Sequence, residues 1–260
     1  MTRLTTCSDA ETVAERAAAH VIGSIERAVA ERGVAHVALS GGTSPGRTFE
    51  LLAREPDALG ALEIWFADER CVAPDDEESN YLLARRTLLE PAAIANERVH
   101  RMMGELGPDE GAARYAAELG ELGPDESAAR YAAELGERVA DDDGSGRDGP
   151  PVLDLVVLGI GPDGHVASLF PGAATLDAGE DAVCLGVRDS PKPPPERITL
   201  SLAVLQAARE CLLIATGASK ADAVSAMLGE PSRHVPASLL RRERLTVIAD
   251  DAAAPDGPRF

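Results

Sequence analysis

The stretch VLDLVVLGIGPDGHVASLFPG, residues 152–172, places a histidine at the exit of a glycine-rich turn. Its first part is apolar except for Asp154 and predicts a buried strand. Glycines at such a bend are typical of a backbone that approaches a ligand closely. An imidazole ionises near neutral pH, so His165 is a candidate general base. A structural histidine, hydrogen-bonded by its neighbours, is the alternative.

A second glycine-rich segment, SGGTSP at residues 40–45, follows another apolar stretch. The N–H groups of Gly41 and Gly42 can turn inward there, and Ser44 or Thr43 can cap the helix that follows. Unpaired N–H groups and the helix dipole would both face a bound anion. A plain strand-to-helix turn explains the segment equally well. It is neither a Walker loop nor a GxGxxG fingerprint, so a nucleotide is not the expected anion.

Lysine is rare in this chain. Of its 25 basic residues, only Lys192 and Lys220 are lysine. Lys220 follows an apolar strand pattern. Lys192 lies in SPKPPPER, five residues before Arg197, where prolines stiffen the backbone. A compact ammonium group held in this way suits a phosphate, so these three residues are candidate phosphate ligands. Chance survival of two lysines is the weaker explanation.

Carboxylates lie near two of the same strand ends. Asp68 and Arg70 follow an apolar stretch, and Asp163 lies two residues before His165. Ligands of parallel α/β sheets bind beyond the carboxyl ends of the strands, so polar clusters at four strand ends predict one pocket. The expected chemistry of this pocket is acid–base catalysis on a small phosphorylated molecule. No cluster has the spacing of a metal site and no GxSxG elbow occurs, so neither a metal nor a cofactor is expected.

Helical and strand patterns alternate along the chain. Helices are predicted at 8–32, where Ser8 and Glu11 form a capping-box pair, after the SGGTSP turn, and at 79–90. Strands are predicted at 34–40, 62–67, 152–158, 210–217 and 244–250. This alternation predicts the α/β class, with a mostly parallel sheet covered by helices on both faces.

Residues 104–135 are a tandem repeat, GELGPDEGAARYAAEL followed by GELGPDESAARYAAEL, which differs only at Gly111 and Ser127. Two copies of 16 residues match no solenoid period. We interpret the repeat as a recent duplication tolerated as a helical surface insertion. A flexible acidic loop is expected at 140–151. The prediction is a single domain over residues 1–260.

Composition limits the partners of the protein. A net charge of -19 repels nucleic acid and anionic membranes. No run of 18 apolar residues and no secretory signal are visible, and the four cysteines lack CxxC spacing. We therefore expect a soluble cytoplasmic protein with reduced thiols. The acidic, lysine-poor composition favours a cytoplasm of high salt concentration, with a GC-rich genome as the alternative.

Five segments occur in the order found in the 6-phosphogluconolactonase family, which the chain resembles from its first helix to about residue 250. They are ALSGGTSP, WFADERCVAPDDEESNY, LGIGPDGHVASLFPG, SPKPPPERITLSLAVL and TGASKADAV. The resemblance excludes one repeat copy and the acidic loop. It implies a Rossmann-like fold shared with glucosamine-6-phosphate deaminases. It also implies hydrolysis of 6-phosphoglucono-lactone with no metal, cofactor or covalent intermediate.

The same resemblance implies roles for the candidate residues. His165 would take a proton from water as it attacks the lactone carbonyl, and Arg70 would polarise that carbonyl or stabilise the oxyanion. Asp68 and Asp163 would orient Arg70, His165 or sugar hydroxyls, with the division of labour left open. The implied ligands of the 6-phosphate are Gly41, Gly42, Thr43, Ser44, Lys192, Arg197 and Lys220.

Two other functions compete with this interpretation. Deaminases continue after Asp-Gly-His with Phe-Asn-Glu-Pro, where this chain has Ser168-Leu169-Phe170-Pro171. A non-catalytic sugar-phosphate sensor of a transcriptional regulator would carry a DNA-binding module and would be expected to lose the base, and His165 is present. The expected partner is thus a small sugar-phosphate lactone, and the expected assembly is a monomer or weak homo-oligomer.

Overall fold

The computed structural model describes residues 2–123 and 149–255 of the chain. The strands in these ranges are β1 (Arg3–Cys7), β2 (Ala35–Leu39), β3 (Leu62–Phe66), β4 (Asp68–Arg70), β5 (Leu155–Gly159), β6 (Cys184–Val187), β7 (Arg197–Leu200), β8 (Cys211–Ala215) and β9 (Leu245–Asp250). The α-helices are α1 (Ala10–Arg32), α2 (Thr43–Leu52), α3 (Asn80–Ala84), α4 (Pro108–Gly120), α5 (Leu202–Ala207) and α6 (Ala221–Leu228). No helix in these ranges is both long and apolar enough to cross a bilayer.

The main sheet has six strands in the order β1-β9-β8-β5-β2-β3, and every neighbouring pair is parallel. From β2 the chain continues to β3 on one side and later to β5 on the other. The strand order therefore reverses between β2 and β5, which opens a crevice at their carboxyl ends where ligands of such folds bind. A smaller antiparallel sheet, β4-β7-β6, continues from the end of β3.

The predicted α/β class with a mostly parallel sheet is confirmed. The five predicted strands are β2, β3, β5, β8 and β9 of the main sheet. The edge strand β1 and the three strands of the small sheet were not predicted. Strand β1 has the mostly polar sequence RLTTC, β6 and β7 have only four residues each, and β4 has the wholly polar sequence Asp-Glu-Arg, which carries no apolar alternation.

Helix α1 shows why the predicted helix forms and where its start was wrong. Val13, Ala17, Val21 and Ile25 recur at helical spacing and are buried in the main core. The helix is capped by Asp9, whose carboxylate accepts the N–H of Thr12, so the predicted capping box of Ser8 and Glu11 is not formed. Aspartate accepts this bond as well as serine does, and Asp9 is one residue nearer the first turn.

The first repeat copy, 104–119, is part of the core rather than a surface addition. Helix α4 packs against β6 and β7, and its Leu119 is fully buried. The hydroxyl of Tyr115 accepts the N–H of Phe66 at 2.6 Å and donates to the Phe66 carbonyl at 3.0 Å. Apart from residues 120–123 the second copy lies outside the described residues, as does most of the acidic loop. The predicted domain description of 1–260 stays a prediction.

Candidate active site

A pocket of about 270 Å³ opens at the carboxyl ends of the main strands, where the strand order reverses. It is lined by residues that follow β2, β3, β5 and β8 and by the segment before β7. All of the predicted site residues except Asp163 line it, namely Gly41, Gly42, Thr43, Ser44, Asp68, Arg70, His165, Lys192, Arg197 and Lys220. The structure therefore brings together groups that are as much as 179 residues apart in sequence, from Gly41 to Lys220.

The glycine-rich turn after β5 holds the predicted base. It closes on itself, because Gly161 donates its N–H to the carbonyl of His165 at 2.9 Å. A Cβ at Gly161 would lie 2.0 Å from Nδ1 of His165 and 2.4 Å from Oδ1 of Asp163. No side chain fits at this position, so glycine allows the imidazole and the carboxylate to fold back over the turn.

Asp163 lies behind His165 and fixes its protonation pattern. Its Oδ1 is 2.5 Å from Nδ1 of His165 and 3.4 Å from Nζ of Lys192. Burial alone raises the pKa of Asp163, but the hydrogen bond and charge of His165 and the charge of Lys192 outweigh it and hold the pKa well below its usual range. The ionised carboxylate accepts from Nδ1–H, which leaves Nε2 of the imidazole able to accept a proton.

The glycine segment after β2 leads directly into a helix. Helix α2 begins at Thr43, and Gly42 occupies the capping position with φ of +114°. The predicted capping by Thr43 or Ser44 is wrong, because no side chain caps this helix and the hydroxyl of Ser44 instead pairs with that of Thr216 at 2.6 Å. The first N–H groups of α2 thus border the pocket with no capping side chain, as an anion cradle requires.

Lys220 borders the same pocket from the end of β8. Burial lowers the pKa of its ammonium group, and the nearby charge of Lys192 lowers it further. The preceding turn is held by Asp250, whose carboxylate accepts the N–H of Gly217 at 2.9 Å. Two ammonium groups that repel each other across a pocket would be stabilised by an anion bound between them.

Two site residues were missed by sequence reasoning. Asn80 lines the pocket and donates through Nδ2 to the carbonyl of Asp68 at 2.8 Å. Ser168 donates to Oδ2 of Asp68 at 2.8 Å. Asp68 therefore holds Asn80 and Ser168, while the contact to His165 belongs to Asp163. Asn80 stands in an acidic stretch at a helix start, and Ser168 follows His165 by three positions, so neither had a distinguishing pattern.

Arg70 places a guanidinium group in the lining of the pocket. Its Nη1 donates to the carbonyl of Glu78, which fixes the guanidinium group. Its Nε is buried and has no hydrogen-bond partner among the described residues. Because Arg70 lines the pocket, its guanidinium group is a candidate donor to an oxygen atom of a ligand.

A larger cavity of about 440 Å³ lies at the opposite ends of the strands. Its charged groups bind each other: Asp154 pairs with Arg32 at 2.9 Å, and Glu210 pairs with His20 at 2.9 Å. Glu210 also accepts from Ser24 and Thr246, both at 3.0 Å. These groups join α1 to the starts of the strands, so we assign the cavity a structural role.

The fold and the first pocket define the class of protein: a parallel α/β protein with a cation-lined, histidine-containing pocket at its strand reversal. Comparison with known proteins narrows this class. Residues 8–249 match the family described as glucosamine-6-phosphate isomerases/6-phosphogluconolactonase. The chain belongs to this family.

Individual relatives are similar to this chain in sequence or structure over most of its length. A 6-phosphogluconolactonase of Streptomyces coelicolor is 38% identical over 96% of this chain and 93% of its own. One of Mycobacterium tuberculosis is 36% identical over 95% of each. The crystal structure of 6-phosphogluconolactonase from Leishmania guyanensis is 28% identical, with a TM-score of 0.73 over 97% of both chains.

Proposed function

We propose that this protein is a 6-phosphogluconolactonase, which hydrolyses 6-phosphoglucono-lactone to 6-phosphogluconate. The observation that carries the proposal is the His165–Asp163 pair, 2.5 Å apart, at the edge of a pocket rich in cations. The similarity to proteins named 6-phosphogluconolactonase supports the same reaction. The sugar-phosphate lactone of this reaction is the proposed partner molecule.

The chemistry follows from the protonation of the pair. Nε2 of His165 accepts a proton from a water molecule while the water oxygen forms a bond to C1 of the lactone. The carbonyl oxygen then carries the negative charge, and the guanidinium group of Arg70, which lines the pocket, would donate to it. When the C1–O5 ring bond breaks, the imidazolium returns its proton to O5. The products are the acid and its free 5-hydroxyl group.

The phosphate supplies the binding energy that aligns C1 with the base. The start of α2 is formed by Gly41, Gly42, Thr43 and Ser44, and Lys220 lines the same pocket. Their N–H groups and ammonium group would hold the 6-phosphate in ground state and transition state alike. Substituting Lys220 should therefore raise KM more than it lowers kcat.

The first test is proton release from freshly generated 6-phosphoglucono-δ-lactone at pH 6.5, where spontaneous hydrolysis is slow. The wild-type protein should accelerate hydrolysis over the blank. The substitution His165→Ala should lower kcat by about 10²–10⁴-fold, the usual contribution of a general base, with KM nearly unchanged. The exposed His234, which lies outside the pocket lining, provides the matched control His234→Ala.

Unchanged turnover in His165→Ala would remove His165 from this role. Absence of acceleration by folded wild-type protein, in dilute buffer and in molar KCl, would contradict the lactonase proposal. Ammonia release from glucosamine-6-phosphate would then indicate the other activity in the family's description. The cytoplasmic location and the monomeric or weakly associated state stay predictions from the sequence.

A further inference from the structure

The loop that carries Lys192 is held by one buried arginine and by its own Ser190. This loop, residues 190–195 with the sequence SPKPPP, joins β6 to β7. Its prolines have no N–H groups, and Ser190 closes the loop by donating its N–H to the carbonyl of Pro195 at 3.0 Å and its hydroxyl to the carbonyl of Lys192 at 2.8 Å. Arg197 begins β7, directly beyond the loop, and only 4% of its surface is exposed.

The guanidinium group of Arg197 is largely used by this loop. Its Nε donates to the carbonyl of Pro194 at 3.1 Å. Its Nη2 donates to the carbonyls of Pro193 at 3.1 Å and Lys192 at 3.2 Å. Three consecutive carbonyls are thus held by one rigid fork, a geometry that lysine cannot reproduce.

Arg197 also connects the loop to the base. Its guanidinium carbon lies 5.5 Å from the centre of the Phe170 ring, and that ring lies 4.7 Å from the imidazole of His165. On the other side of the loop, Nζ of Lys192 lies 3.2 Å from Nδ1 of His165. The backbone that Arg197 holds is therefore the backbone that places this ammonium group beside the base and its carboxylate.

We propose that Arg197 is a positioning residue, which holds the 190–195 loop so that Lys192 lies against the His165–Asp163 pair, rather than a ligand of the 6-phosphate. The proposal rests on the proposed lactonase function where it concerns catalysis. It replaces the phosphate-binding role that the family resemblance implied for Arg197. Lys192 then favours the ionised form of Asp163, the hydrogen-bond partner of His165.

The kinetic test uses Arg197→Met and Lys192→Met, alone and combined. Because an error of about 1 Å in a catalytic geometry can lower rates by about 10²-fold, Arg197→Met should lower kcat by about 10–100-fold. The double variant should be slowed by much less than the product of the two single effects, since Arg197 acts mainly through Lys192. Independent, multiplying effects would overturn the proposal. Arg197→Lys should restore only part of the rate, since it keeps the charge without the fork.

Substrate without the phosphate separates the two roles of Arg197. With glucono-δ-lactone, which has no phosphate group, Arg197→Met should still lower kcat/KM by a similar factor. Loss of the effect with this substrate, together with a pure KM increase for the phosphorylated lactone, would show that Arg197 binds phosphate. Arg188→Met is the matched control, because Arg188 flanks the same loop but pairs with Asp109 and Glu196 on the exposed surface.

A second measurement needs no enzymatic activity. The chain contains only two lysines, so ¹³Cε-lysine labelling gives two side-chain NMR signals, and Lys192→Met assigns them. The charge of Lys192 contributes to the lowered pKa of Lys220, so this pKa should rise in Lys192→Met. It should rise by a similar amount in Arg197→Met and stay unchanged in Arg188→Met. An unchanged pKa of Lys220 in folded Arg197→Met would overturn the positioning role even if the lactonase assay failed.

Discussion

At the scale of single residues, the carboxylate of Asp163 decides which nitrogen of His165 can act as the base. The pair is 2.5 Å apart, and the low pKa of Asp163 keeps the carboxylate ionised at the pH of the assay. An amide in its place could donate to Nδ1 and would move the imidazole proton to Nε2. The base would then face the water with the wrong nitrogen protonated.

Asp163→Asn should therefore lower kcat strongly with little change in KM. Where an aspartate fixes the tautomer of a catalytic histidine, its loss can cost up to about 10⁴-fold, so we expect a decrease of roughly 10²–10⁴-fold. Steady-state proton release measures it. Asp189→Asn, which removes an exposed carboxylate near the Lys192 loop, is the control. A kcat within threefold of wild type would assign the orientation of His165 to another group.

Most individual site residues could be predicted because each one follows an apolar strand pattern. His165, Arg70 and Lys220 are of this kind, and the parallel sheet brings their strand ends together. Asn80 and Ser168 could not be predicted, since their importance comes from contacts with Asp68 across distant parts of the chain. The contacts of Arg197 with backbone carbonyls could not be predicted either, because they depend on the backbone conformation of the proline-rich loop at 190–195.

At the scale of elements, strands with long apolar runs could be predicted from the sequence, and short or polar strands could not. The central strands β5 and β8 of the parallel sheet are continuous apolar runs, as expected when both faces are covered. Strands β4, β6 and β7 have three or four residues and form only by pairing with one another. The helix that packs on them, α4, comes from the first repeat copy, and the sequence alone did not indicate which copy takes that position.

The lack of a side chain at Gly111 explains why the first repeat copy can form α4 and pack against the small sheet. A Cβ at Gly111 would lie 2.4 Å from Cδ1 of Ile198 and 2.8 Å from the carbonyl oxygen of Met103. The second copy is identical except for Ser127 at the matching position. A serine side chain in the groove that Gly111 occupies would displace Ile198 and the backbone at Met103.

Two deletion variants test whether glycine or serine at this position changes the stability of the protein. Removing 104–119 or removing 120–135 gives chains of equal length that differ only in having serine or glycine at this position. Overpacking typically destabilises by about 1–3 kcal/mol, so the chain that keeps serine should be less stable by about that amount. Denaturant unfolding of the two proteins measures the difference. Equal stabilities would mean that Ile198 and Met103 move aside freely.

At the scale of the whole molecule, the net charge of -19 acts on stability through the salt concentration. At 0.1 M ionic strength the Debye length is about 10 Å, so carboxylates on neighbouring parts of the surface repel one another. At 1 M it falls to about 3 Å, and this repulsion is largely screened. Ion pairs such as Arg86–Glu77, at 2.7 Å on the exposed surface, are screened too, but each contributes little.

We therefore expect the thermal unfolding midpoint to rise steadily between 0.1 M and 2 M KCl. A variant with Glu15→Gln, Glu180→Gln and Glu230→Gln, three exposed carboxylates, separates charge repulsion from other effects of salt. It should be more stable than wild type at low salt and equally stable at 2 M KCl, because the repulsion it removes is then already screened. A midpoint that falls with salt would mean that the ion pairs outweigh the repulsion. The acidic composition would then fit a GC-rich genome better than a cytoplasm of high salt concentration.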